Sequence, residues 1–109
     1  MSLTKRYLKT KPVCKVTFRL PGERAEWAAS AAVVGEFNGW SGRKNPMKKL
    51  KDGGFTATIE LPQGESYEFR YLLDGRVWEN DTDADGYVRT AFASQNCLLR
   101  LDGSAAVAD

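Results

Sequence analysis

Tyr67-Glu68-Phe69-Arg70-Tyr71-Leu72-Leu73-Asp74-Gly75-Arg76-Val77-Trp78 is the stretch that decides the fold class. Its first half alternates, with Tyr67, Phe69, Tyr71 and Leu73 on one side and Arg70 and Leu72 on the other. Period two with one apolar face marks a half-buried strand. Asp74-Gly75 is a strong hairpin signal, and Val77-Trp78 begins the return strand. The direction of Trp78 depends on the loop. A two-residue turn pairs Tyr71 with Trp78 and sends the indole to the core. A three-residue loop, Asp74-Gly75-Arg76, pairs Leu73 with Val77 and Leu72 with Trp78, so Trp78 shares the outer face with Leu72 and Arg70. The longer loop keeps Val77 with the core residue Leu73 and is the favoured reading.

The same punctuation runs outward from this hairpin. Residues 13–20 alternate, with Cys14, Val16, Phe18 and Leu20 on one side, and Pro21-Gly22 ends the run. Residues 23–30 have no clean period and read as a loop. A strand of ambiguous composition follows from Ala31 to Phe37, closed by the turn dipeptide Asn38-Gly39. Phe55, Ala57, Ile59 and Leu61 mark another strand between two glycine-containing turns. A long polar loop spans Glu79 to Ser94, and Asn96 to Leu101 forms the last strand. Six or so short strands with no convincing helix predict an all-β antiparallel sandwich or small barrel. The division expected is a basic extension at 1–12, one domain at 13–101 and a flexible tail at 102–109.

Composition narrows the function. The chain has 109 residues, 42% hydrophobic, with a net charge of +2. That is one domain with one modest core. It contains no histidine, which removes Ser-His and Cys-His pairs, His-based acid–base catalysis and most zinc sites. A hydrolase barrel of about 250 residues does not fit. Met1 to Lys11 is basic without an apolar run behind it, unlike a signal peptide, and no segment approaches the roughly 20 apolar residues of a membrane span. A cytoplasmic location is expected, with no membrane partner. Cys14 and Cys97 alternate with apolar neighbours and read as buried thiols. Arg43, Lys44, Lys48, Lys49 and Lys51 form a local basic patch, too small an excess for a dedicated nucleic-acid binder. Asp81-Thr82-Asp83-Ala84-Asp85-Gly86 matches the start of a calcium loop. Its twelfth position, which needs a bidentate Glu, is Phe92, and the flanks read as strand and loop rather than helices, so no metal site is assigned.

On pattern alone Trp40, in a turn, and Trp78, near a hairpin, are either core lids or presented recognition groups. The order of motifs says more. Val34-Gly35-Glu36-Phe37-Asn38-Gly39-Trp40 comes first, then Gly54 to Pro62, then Tyr67 to Gly75 with Trp78 and Asp81 after it, and finally Asn96-Cys97-Leu98-Leu99. This order resembles carbohydrate-binding module family 48, the early-set domain of isoamylases and glycogen-branching enzymes. The group includes the glycogen-binding domain of the AMP-activated protein kinase beta subunit. The resemblance covers about residues 13–101. It implies an immunoglobulin-like sandwich and a non-catalytic α-1,4-glucan-binding role, without a cofactor. It also implies that Trp40 and Trp78 stack on sugar rings and that Arg70 and Asn96 bond hydroxyls, with Phe92 and Ser94 assisting. The partners implied are glycogen, maltooligosaccharide or cyclodextrin, and a glycogen-metabolism enzyme or another protein; nucleic acid is not among them. A scaffolding sandwich without a sugar site is the competing reading. An enzyme is not expected, because Glu60, Glu65 and Glu68 show no acid–base pairing.

Overall fold

The computed structural model describes residues 3–91 and 94–101. Among the described residues, nine strands form two antiparallel sheets. The first holds β1 (Leu3–Tyr7), β2 (Val13–Leu20), β5 (Phe55–Pro62) and β4 (Lys48–Lys49), in the order β1-β2-β5-β4. The second holds β3 (Ala31–Gly35), β6 (Glu65–Leu73), β9 (Gln95–Leu101) and β8 (Gly86–Arg89), in the order β3-β6-β9-β8. Strand β7 (Val77–Glu79) also pairs with β6, opposite residues 71–73, while β9 pairs with residues 65–69. The fold is the all-β sandwich that the alternating runs predict.

The inner faces are the apolar sides of those runs. Cys14, Val16, Phe18 and Leu20 of β2 meet Phe69, Tyr71 and Leu73 of β6 and Cys97, Leu99 and Leu101 of β9. Phe18 and Phe69 pack edge to face with centroids 5.2 Å apart, and Phe69 and Tyr71 do so at 5.7 Å. Each buried ring contributes about 1.5–3 kcal/mol by removal from water, and each ring pair about 0.5–1.5 kcal/mol more.

Five elements differ from the sequence reading, the first being Glu36–Asn38, a 3-10 turn where the strand from Ala31 is expected to continue to Phe37. Leu3–Tyr7, within the region set apart as an extension, is a strand paired along its length with residues 14–18 of β2, and Leu3 is buried. Its polar composition suits an edge and hides its period. Lys48–Lys49 forms a two-residue strand. Gly86–Arg89, within the expected loop, is the edge strand β8. Gly22–Ala25 makes one helical turn, α1, where a loop is expected. The region 102–109, read as a tail, lies outside the described residues. None of the described helices is long and apolar enough to cross a membrane.

Strand β3 is buried at all five positions, which explains why Ala-Ala-Val-Val-Gly shows no alternation. Its free edge is covered by the loop that follows. Val33 N–H donates to the Asn45 carbonyl at 3.0 Å, Met47 N–H donates to that of Ala31 at 2.8 Å, and Ala32 bridges to Pro46. Gly35 ends the strand where a Cβ would stand 2.6 Å from the Glu68 carbonyl oxygen and 2.8 Å from Phe69 Cβ. Backbone cannot approach backbone so closely with a side chain between them.

The acidic segment does structural work. Asp81 is 2% exposed. It accepts the Tyr71 hydroxyl at 2.6 Å and the Asp83 N–H at 2.8 Å, while its own N–H points at Cys97 Sγ, 3.1 Å away. Asp85 pairs instead with Lys5 Nζ at 2.6 Å and accepts the Arg100 N–H. The carboxylates of Asp81 and Asp85 therefore serve different partners.

Cys14 and Cys97 are both free and buried. Burial pushes the Cys97 thiol from 9.0 up to about 11 and also raises that of Cys14. Burial, then the neighbouring Asp81 carboxylate, holds the Tyr71 hydroxyl well above 10.0. Between pH 9.0 and about 11 the folded state keeps a proton on Cys97 that the unfolded chain releases. Stability therefore falls as pH rises through that window. The melting temperature is expected to be level below about pH 8 and to drop steadily above pH 9. Cys97→Ala lowers the neutral-pH value but makes the alkaline drop shallower; a drop as steep as the parent's would exonerate this thiol.

Candidate functional site

The outer face of the second sheet is set by the hairpin. Leu73 pairs with Val77 and Leu72 with Trp78, the three-residue register. Asp74 and Gly75 both have left-handed φ, 52° and 70°, and Arg76 N–H donates to the Leu73 carbonyl at 3.1 Å. Asp-Gly thus makes the tight turn its composition predicts, and Arg76 enters as one extra residue before pairing resumes. A one-residue shift moves a side chain to the opposite face. Trp78 accordingly stands outside, 48% exposed.

Trp40 is presented by a different device. Glu36–Asn38 form a 3-10 turn after β3, and the Trp40 N–H returns to the Gly35 carbonyl at 2.9 Å. Trp40 itself has φ 60°, a conformation that costs a bulky residue of order 1–3 kcal/mol and needs surrounding support. The buried Asn38 side chain supplies it. Asn38 Oδ1 accepts from Gly35 N–H (3.1 Å) and Ser41 N–H (3.2 Å). Asn38 Nδ2 donates to the Val33 carbonyl (3.0 Å) and Asn45 Oδ1 (2.8 Å). Glu36 adds a clamp by accepting the Glu68 N–H at 2.8 Å, which extends the β3–β6 ladder beyond the last residue of β3. Trp40 is 40% exposed.

Both indoles line an open groove of about 470 Å³, together with Arg70, Thr90, Ser94 and Asn96. Arg70 occupies the middle of β6, opposite Val34. Its Nε donates to Asn96 Oδ1 at 2.5 Å and its Nη2 to Ser94 Oγ at 2.8 Å. Asn96 Nδ2 donates to Glu68 Oε1 at 2.9 Å. The Ser94 and Thr90 hydroxyls lie 2.8 Å apart, and the Thr90 N–H donates to the Ser94 carbonyl at 2.8 Å. A guanidinium only donates and a carboxylate only accepts, so Arg70 and Glu68 between them fix which way the Asn96 amide faces. Among the described residues, the Nη1 hydrogens of Arg70 and the second Nδ2 hydrogen of Asn96 meet no acceptor. The groove thus offers aromatic surface from two tryptophans and donors held by neighbouring side chains.

Five of the six residues singled out by sequence, Trp40, Arg70, Trp78, Ser94 and Asn96, line this one groove. The sixth, Phe92, lies outside the described residues. Sequence reasoning missed Thr90, Glu68 and Asn38. Thr90 falls in a stretch read as loop, and Asn38 reads there only as a turn former. Glu68 carried a usable signal, since it sits two residues before Arg70 and projects from the same face.

Comparison with known proteins decides what this groove belongs to. Residues 12–88 match carbohydrate-binding module 48, the isoamylase N-terminal domain. The chain belongs to carbohydrate-binding module family 48. Three 1,4-alpha-glucan branching enzymes GlgB show the extent of the likeness. That of Photobacterium profundum is 44% identical over 75 residues, covering 66% of this chain and 10% of the enzyme. That of Burkholderia lata is 39% identical over 66 residues (54% and 9%), and that of Halothermothrix orenii is 39% identical over 51 residues (42% and 8%). The chain spans about a tenth of the length of these relatives. Within this family-48 module the match includes Trp40, Arg70 and Trp78. Thr90, Ser94 and Asn96 lie beyond its end and join the groove through the β8–β9 return.

Asn38→Ala removes four hydrogen bonds and leaves buried main-chain groups unpaired. It is expected to cost about 2–4 kcal/mol in chemical denaturation and to shift Trp40 emission toward that of a free indole. Unchanged stability would show that the turn holds Trp40 without the amide.

Proposed function

We propose that this module binds α-1,4-linked glucan, of the glycogen or maltooligosaccharide type, without acting on it chemically. The observation that carries the reading is that Trp40 and Trp78 line one groove together with Arg70 and Asn96. A pyranose ring has an apolar C–H face and a polar hydroxyl rim. An indole covers the first and fixed N–H donors meet the second. The family is a carbohydrate-binding module, and the relatives above are named for 1,4-alpha-glucan. The carboxylates give no support to hydrolysis. Glu60 lies on β5 in the other sheet, Glu65 accepts the Tyr67 hydroxyl, and Glu68 is engaged by Asn96.

The groove is open and its donors are partly solvated, so a dissociation constant on the order of micromolar to millimolar is expected. Calorimetric titration with maltoheptaose or β-cyclodextrin tests it. Trp40→Ala and Trp78→Ala should each weaken binding about tenfold or more, about 1.4 kcal/mol, and the double variant should show no measurable heat. Arg70→Lys should weaken binding less than Arg70→Ala, because it keeps the charge but loses the planar fork that holds Asn96 and Ser94. Added salt should change little for a neutral ligand, in contrast to the steep loss that phosphate contacts impose. A double tryptophan variant that binds like the parent overturns the proposal.

A further inference from the structure

The first sheet ends on an incomplete edge. Strand β5 is paired with β2 along all eight residues, but its other edge carries only β4, opposite Phe55 and Thr56. Gly54 turns its carbonyl to the Leu50 N–H on this side, 2.7 Å away. Main-chain groups alternate between the two edges of a strand, so those of Thr58 and Glu60 face the same open side. Among the described residues nothing pairs with them. Residues 57–62 thus leave about 20 Å of edge without a neighbour.

Two further features mark this edge. Ala57 and Ile59 project toward the core yet remain only half-buried, because no strand covers them where β4 stops. Beside them lies a hollow of about 360 Å³ lined by Lys44, Asn45, Pro46, Lys48 and Thr56 through Ile59. Lys44 and Lys48 have no carboxylate partner among the described residues. Lys49, by contrast, is occupied, donating to the Glu26 and Ala28 carbonyls and lying 4.9 Å from the centre of the Phe55 ring.

From this geometry we infer that the β5 edge is a docking site for an extended acidic protein segment, which adds to the sheet end to end with β4. Its main chain pairs with Thr58 and Glu60. Alternate apolar side chains cover Ala57 and Ile59, and acidic side chains between them meet Lys44 and Lys48. Strand addition draws affinity from the ladder and selectivity from alternate side chains. The second sheet shows the same arrangement internally, where β7 and β9 share one edge of β6. Lysines also serve to guard free edges against pairing, and that is the alternative an experiment must separate. The surface is independent of the groove, which lies on the outer face of the other sheet, so this inference does not rest on the glucan reading.

The probe is a synthetic acetylated nine-residue peptide of alternating valine and glutamate, added to isotope-labelled protein and followed by amide chemical shifts and hydrogen exchange. Shifts are expected at residues 44–48 and 56–62, with new protection at the Thr58 and Glu60 amides. Lys44→Glu with Lys48→Glu should weaken binding at least about tenfold. Thr58→Pro, which removes an outward-facing N–H and no ladder bond, should abolish it, and a thermal melt verifies that this variant is folded. Should Thr58→Pro not fold, a peptide N-methylated at alternate residues replaces it, with the same charge but no donors on one edge. Equal binding by the methylated peptide, no binding by the parent peptide, or binding of poly-uridine in its place at the lysines would each overturn the inference.

Discussion

Strand β6 is paired along both edges, and the two-residue period this imposes governs the rest of the molecule. Tyr67, Phe69, Tyr71 and Leu73 must face the core together, so Glu68, Arg70 and Leu72 must face outward together. Sliding the strand by one residue would turn these four buried side chains outward and bring the charges of Glu68 and Arg70 into the core. No local preference in a neighbouring loop can compete with that. The register of β3, β7 and β9 then follows from β6, and with it the row that sets Trp78 beside Leu72 and brings Asn96 to Arg70.

The groove's polar groups are committed before any ligand arrives. Glu68, Asn96, Arg70, Ser94 and Thr90 form one chain of side-chain contacts. Its ends are anchored in main chain: Glu68 N–H on Glu36, and Thr90 N–H on the Ser94 carbonyl. Among the described residues, acceptors within the chain are largely used internally, whereas several guanidinium and amide hydrogens are not. A glucan bound as proposed would therefore be met chiefly by donors in fixed directions, with less side-chain freedom lost on binding. Hydroxyl oxygens and ring oxygens of a sugar suit such a surface.

Much of this was legible in sequence, for a reason that also explains what was not. β2, β5, β6 and β9 each bury one face against the opposite sheet, so their composition alternates and their boundaries could be read. β1, β4 and β8 are edge strands, with polar residues on both sides and glycine or lysine within them, and local composition does not distinguish them from loops. β3 is buried throughout and loses its period for the opposite reason. Trp40, Arg70, Trp78, Ser94 and Asn96 could be named through motif order. Thr90 and Asn38 fall in stretches whose composition reads only as loop and turn, and Glu68, though it shares a face with Arg70, takes its role from Asn96, 28 residues away. Only the fold brings such partners together.

Arg70 and Tyr71 show how core and groove are joined. They are neighbours in sequence and face opposite sides of the sheet. Tyr71 reaches inward to the buried Asp81 carboxylate, and Tyr87 holds the Asp81 carbonyl with its own hydroxyl at 2.6 Å. These bonds pin the start of the segment that leaves β7 over the edge of the core. The segment returns through β8, Ser94 comes to rest against Arg70 on the outer face, and Thr90 against Ser94. The acidic stretch that looks like part of a calcium loop is thus one end of a strap whose other end completes the groove. A loss at Asp81 or Tyr71 would act on the groove without touching it, through the position at which β9 begins. One strand, by alternating its side chains, fixes both ends of the strap.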